Sequence, residues 1–225
     1  MSERIERFLA TALTASAVAV GLVLVHREFF PQRDTVRRGA DAETPTVVAD
    51  WMSAVTNGVI IGNQDARVKI TVFSDLECPV CRGYATTLRA VRRAYPTNLA
   101  LVFVHFPLPQ HRFARPAARA SECADRAQRF AEFVDVVYTK QDSLGLKTWT
   151  SYAKEAGIRD TAAFGRCTSE TQPIARIDSG VAVARRLGVN ATPTVFVNQW
   201  RFASPPSEQE LIRMVTAIAE GKRAL

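Results

Sequence analysis

The chain has 225 residues, 47% of them hydrophobic and 23% charged, which excludes a disordered or collagen-like protein and suits one folded domain with an appendage. Its formal net charge is +7. The bases are scattered (Arg4, Arg37-Arg38, Arg92-Arg93, Arg119, Arg126, Arg185-Arg186), with acids between them and no interleaved aromatics, so they read as a solvated surface and not as a nucleic-acid interface.

In chain order, residues 1–7 form a short charged tail, and residues 8–25 form an apolar run of 18 positions without a charge. As a helix that run extends about 27 Å, close to the roughly 30 Å hydrocarbon core of a bilayer. Ala15-Ser16-Ala17 and Ala17-Val18-Ala19 resemble signal-peptide cleavage sites. Either cut would fall inside the apolar run, so an uncleaved transmembrane anchor is the preferred reading. Arg27, Arg33, Arg37 and Arg38 follow the run, whereas Arg4 and Arg7 before it are offset by Glu3 and Glu6. Strict use of the positive-inside rule would put the body in the cytoplasm. The chemistry derived below favours the extracytoplasmic side, where disulfides persist. Residues 26–45 are polar and aperiodic, a tether between membrane and domain.

The folded domain is expected over 46–225. A short strand or turn-rich lead-in over 47–61 ends at Gly62-Asn63. Residues 67–73 alternate and are β-branched, as a strand does. After Pro79, the spacing of Tyr84, Leu88, Val91 and Tyr95 predicts a helix, and the apolar run 99–105 predicts a buried parallel strand. Together these make a βαβ unit. Residues 112–187 read as a helical insertion, with apolar positions at Phe130, Phe133, Val134, Val137, Tyr138, Trp149, Tyr152 and Ala156 and a last helix over about 174–187. Two short strands at 194–198 and 199–202 and a closing helix, capped by Ser207 with Glu210 in the capping-box position, complete a ββα half.

The chemistry centres on Cys78-Pro79-Val80-Cys81, where a strand gives way to a helix. Pro79 suits the first helical position. Cys78 then meets unpaired N–H groups and the positive end of the helix dipole, which favour thiolate, so its pKa is expected below the free value of about 8.5. Cys81, one turn further in, is placed to resolve a mixed disulfide that Cys78 begins. A zinc or copper site would need further soft ligands, and the sequence has no second C-x-x-C or paired histidines to provide them, so no metal and no cofactor are assigned. Pro193, just before a strand, marks a strand start or a cis bond.

These residues carry a family resemblance. The stretch 61–81 through Cys78-Pro79-Val80-Cys81, the segment His105-Phe106-Pro107-Leu108, the helical insertion, and the stretch 187–198 through Ala191-Thr192-Pro193-Thr194 resemble the DsbA-like thiol–disulfide oxidoreductases. The resemblance implies an α/β, thioredoxin-like fold, with βαβ and ββα halves around a mixed central sheet and an all-helical insertion. It also implies that Pro193 is a cis-proline facing the dithiol, that Thr192 offers its backbone to a bound peptide, and that the enzyme's partners are reduced secreted proteins and a membrane quinone-linked protein that reoxidises it. A monomer is expected. One position departs from the wider pattern: where a buried carboxylate often precedes the first cysteine by six residues, this chain has Val72, leaving proton handling at Cys81 to water or Glu77.

His105 ends a strand on the edge that bears Cys78, so it lies near the dithiol or serves as a structural histidine; His111 and His26 carry no signal. Cys123 and Cys167 are single cysteines in separate insertion helices. They are either two buried thiols or, in an oxidising compartment, a structural disulfide. A disulfide reductase or isomerase of the same fold and a non-enzymatic metal-binding or client-holding protein are the alternatives to a disulfide-introducing oxidase.

Overall fold

The computed structural model describes residues 44–222. The tail, the apolar run at 8–25 and all but the last two residues of the tether lie outside the described residues. Among the described residues, no helix is long and apolar enough to cross a membrane.

The six-stranded mixed sheet has the order β1-β6-β5-β3-β4-β2, with strands β1 (Thr46–Val47), β2 (Val59–Gly62), β3 (Val68–Ser74), β4 (Leu99–His105), β5 (Thr194–Val197) and β6 (Trp200–Arg201). β3 and β4 are parallel, paired from Val68 with Leu99 to Ser74 with His105, and β5 runs antiparallel to β3. The lead-in also holds a helix, α1 (Met52–Thr56), between β1 and β2. At five residues it is too short for its apolar period to stand out in the sequence.

Side-chain alternation along β3 and β4 separates two cores. Val68, Ile70, Val72, Leu99, Leu101 and Phe103 enter one, which contains helix α2 (Pro79–Ala94) and the closing helix α8 (Glu208–Ala219). Phe73, Val102, Val104 and Phe196 enter the other, against α1 and helix α7 (Ala175–Arg186). Gly180 lets α7 approach β4 closely, since a Cβ there would sit 2.9 Å from the His105 carbonyl oxygen.

The insertion comprises α3 (Ala114–Arg126), α4 (Phe130–Thr139), a 3₁₀ turn (Gln141–Ser143), α5 (Trp149–Glu155), α6 (Thr161–Ser169) and α7. α4 packs on α2, which ties the insertion to the helix that starts at the dithiol. Cys123 of α3 and Cys167 of α6 are bonded, with sulfurs 2.00 Å apart. At the other end, Ser207 caps α8 by accepting the Glu210 N–H at 3.3 Å.

Candidate active site

Cys78 is the N-cap of α2, in extended conformation, with Pro79 at the first helical position. Cys81 follows on the helix face that also buries Ala85, Leu88 and Val91, the period of a helix lying on a core. Both cysteines are free thiols, with Cys78 5% and Cys81 2% exposed, whereas Val80 between them is 61% exposed. The motif thus presents an apolar side chain to solvent beside a nearly covered sulfur pair.

The strand register brings the second motif to the first. Thr194 pairs with Phe73, so the residues just before β5 lie beside the end of β3 and the loop to α2. The Thr192–Pro193 peptide bond is cis. Cys78 Sγ lies 3.5 Å from the Thr192 carbonyl oxygen, to which its thiol form donates. The Thr192 hydroxyl is buried without a hydrogen-bond partner.

These neighbours set the acidity of the pair. The Cys81 thiol, hydrogen-bonded to Cys78, is the largest influence pulling the Cys78 pKa down from 9.0 to about 5. The Thr192 hydroxyl and the backbone of Cys81 and Val80 add to it, against the opposing effect of burial. Cys81 moves the other way. Its hydrogen bond to Cys78 and its burial push its pKa far above the ordinary thiol value, opposed by the Asp75 backbone and the Ser74 hydroxyl. One sulfur is therefore a thiolate at neutral pH and the other a protonated thiol.

Three polar side chains around the loop from β3 to α2 fix its shape. Gln141 Nε2 donates to the carbonyls of Leu76 at 2.9 Å and Cys78 at 3.1 Å. Asp75 accepts from the Glu77 N–H and Leu108 N–H, each at 2.8 Å, and lies 2.7 Å from His111 Nδ1. The Tyr138 hydroxyl lies 2.7 Å from Ser74 Oγ. Sequence reasoning assigned none of these roles. Tyr138 is legible only as an apolar position of α4, and Gln141 and His111 become loop braces only through tertiary contact.

Glu77 and His105, each given two readings from the sequence, have defined partners. The Glu77 carboxylate accepts the Phe113 N–H, so it braces the start of the insertion. His105 pairs in register with Ser74, but its Nε2 lies 3.0 Å from Glu122 Oε1 in a buried contact. Arg176 holds the other Glu122 oxygen at 3.2 Å and Asp125 at 2.7 Å. The structural reading of His105 is the one this geometry supports, because its ring nitrogen is committed to the insertion. Among the described residues no group of three or more His, Cys, Asp or Glu is arranged to hold a metal ion.

Residues 54–217 match the family described as Thioredoxin. The chain belongs to the thioredoxin family. Its fold is that of DsbA-like proteins. A thioredoxin-like oxidoreductase from Silicibacter pomeroyi DSS-3 superposes with a TM-score of 0.63 at 23% identity, covering 78% of this chain and 99% of that one. Wolbachia pipientis alpha-DsbA1 superposes with a TM-score of 0.62 at 19% identity, covering 73% and 92%. In sequence, this thioredoxin-family chain is 34% identical over 159 residues to the Na(+)/H(+) antiporter NhaA 1 of Mycolicibacterium gilvum, a match covering 69% of the chain. The chain spans about a quarter of the length of the curated relatives it matches, 26% of that antiporter.

Proposed function

We propose that this protein is a thiol–disulfide oxidoreductase that passes the Cys78–Cys81 disulfide to reduced secreted proteins. The observation that carries the reading is the split acidity of the pair, with Cys78 held at about 5 while Cys81 stays protonated. A thiolate stabilised at Cys78 favours the reduced form of the enzyme, which makes its disulfide a good electron acceptor. In the oxidised enzyme a client thiolate attacks Cys78 Sγ, and Cys81 leaves. The resulting mixed disulfide is resolved by a second client thiol, giving an oxidised client and a reduced enzyme; where no second client thiol is in reach, Cys81 attacks Cys78 Sγ, re-forms the enzyme disulfide and releases the client.

Thr192 and Pro193 form the substrate-binding edge. The Thr192 backbone, already beside Cys78, pairs with an extended client peptide as an added strand. The covalent link between Cys123 and Cys167 is structural in this scheme. The apolar run at 8–25 anchors the protein in a membrane, the tether spans 26–45, and the catalytic domain faces the extracytoplasmic side, where a membrane quinone-linked partner reoxidises it. The run's length supports the anchor. Ion exchange is not carried over to a chain that spans about a quarter of its curated relatives.

The test is the reduction potential of the full chain, equilibrated with glutathione. A value near about −120 mV supports the oxidase, and one near about −270 mV indicates a thioredoxin-like reductant.

A further inference from the structure

Resolution of a mixed disulfide at Cys78 requires a thiolate on Cys81, a sulfur that is almost fully covered. The carboxylates around it have other partners. Val72 stands where a buried acid would be expected. The Asp75 carboxylate is taken by the Glu77 and Leu108 N–H groups and by His111, and the Glu77 carboxylate accepts the Phe113 N–H. Asp135 is paired with Arg89 at 3.1 Å.

What Cys81 does share is a cavity of about 50 Å³ with Ser74, Tyr138, Val72 and Pro193. Ser74 ends β3, and its carbonyl accepts the Phe106 N–H at 2.9 Å, so its backbone is held. Its hydroxyl lies 2.7 Å from the Tyr138 hydroxyl, and the residue lines the same cavity as Cys81, whose pKa it lowers. The Tyr138 hydroxyl is also 3.5 Å from the Asp75 carbonyl. Tyr138 is fully buried, and burial pushes its pKa well above the usual phenol value, so it stays a neutral donor and does not act as a base. Arg89, Arg92, Asp135 and Tyr84 are the other ionisable groups on this cavity, Arg89 and Asp135 paired with each other.

We propose that the Ser74 hydroxyl, oriented by Tyr138, is the hydrogen-bond donor that stabilises the Cys81 thiolate during mixed-disulfide resolution, in place of a buried acid. This rests on the assignment of Cys81 as the resolving thiol. In the step, Cys81 loses its proton through the cavity, which is wide enough for a water molecule. Its sulfur attacks Cys78 Sγ, the Cys78–client S–S bond breaks, and the Cys78–Cys81 bond forms. The client leaves as a thiolate and takes up the proton. Ser74 lines the cavity into which the reacting sulfur opens; Tyr138 is a positioning residue.

The reaction of the reduced full chain with Ellman's reagent separates the two steps. Cys78 attack releases one thionitrobenzoate and leaves a second bound to Cys78, and Cys81 then displaces it. Ser74→Ala should slow the second phase by about ten-fold or more at neutral pH. It should also move that phase's pH profile upward, with the change falling on the second phase and not the first. Ser74→Thr should restore both. Tyr138→Phe should shift the profile in the same direction by less, and it carries the test if Ser74→Ala does not fold. An unchanged second-phase rate and pH profile in these variants would overturn the proposal. Loss of the second phase in Cys81→Ala and of the first in Cys78→Ala verifies the roles on which it rests. If Cys81→Ala still releases the second thionitrobenzoate, the assignment of the resolving thiol fails, and that outcome is distinguishable from a failure of Ser74.

Discussion

Deleting the Cys81 thiol gives the sharpest reading of how the site sets the reactivity of Cys78. In the wild type the Cys78 pKa lies at about 5 against an ordinary 9.0, with the Cys81 hydrogen bond as the largest cause. At pH 6 such a thiol is about nine-tenths ionised and an ordinary one about one part in a thousand. The less basic sulfur is also the weaker nucleophile; a Brønsted slope of about 0.45 reduces its intrinsic rate about 60-fold. Cys78 should therefore alkylate about 15-fold faster than an unperturbed cysteine at pH 6, match it near about pH 7, and react more slowly above. A hydrogen bond to a charged group is worth about 1.5–3 kcal/mol, so in Cys81→Ala the ionisation midpoint should rise to about 6 or 7. The assay is iodoacetamide labelling against pH, paired with the ultraviolet absorbance of the thiolate. Stability should follow the same titration. The folded pKa lies below the unfolded one, so the thiolate stabilises the reduced fold fully above the unfolded value, near 9.0, and that contribution is lost as pH falls through about 5. A wild-type midpoint near that of a free cysteine, or a Cys81→Ala midpoint that stays where the wild type's is, would refute the reasoning.

Two further outcomes follow from the scaffold. Replacing Cys123 and Cys167 together with Ala opens a crosslink across a sequence separation of 44 residues. In the chain-entropy model this lowers stability by about 4 kcal/mol. Urea unfolding of the oxidised wild type and the double variant measures it, and equal midpoints would count against a structural role. Gly180→Ala places a Cβ 2.9 Å from the His105 carbonyl oxygen and 3.2 Å from Val104 Cγ1. The overpacking should cost about 1–3 kcal/mol by separating α7 from β4; an unshifted unfolding midpoint would show that the contact yields freely.

The parts of the fold that were legible in sequence are those whose signal is local and periodic. Alternation over 67–73, the continuous apolar run 99–105 and the helical spacing of Leu88 and Val91 mark β3, β4 and α2, the strands lying between two cores and the helix burying one face. Pro79 marks the start of α2 because only a first-turn position tolerates the missing N–H. The approach of Thr192 and Pro193 to Cys78 is set by the antiparallel register of β5 on β3, which pairs residues about 120 positions apart and leaves no local trace. The braces around the loop are invisible for the same reason. Gln141 is an ordinary polar residue until the insertion folds over α2 and aims its amide at the Leu76 and Cys78 carbonyls. Tyr138 reads as a core position, and so it is, but its hydroxyl finds Ser74 only across the interface. Glu77 misleads in the opposite sense. A carboxylate next to the reactive cysteine suggests acid–base chemistry, and the chain instead uses it to hold Phe113 at the mouth of the insertion.

The central claim is that Cys78 bonds to clients and Cys81 releases them. The most direct measurement is mass spectrometry of adducts formed when reduced full-chain variants react with an unfolded secreted protein whose cysteines are held as activated mixed disulfides. Cys81→Ala should accumulate client disulfides mapped to Cys78, because no thiol remains to displace them, and Cys78→Ala should accumulate none. Equal adducts in the two variants, or adducts mapped to Cys81 in Cys78→Ala, would contradict the account.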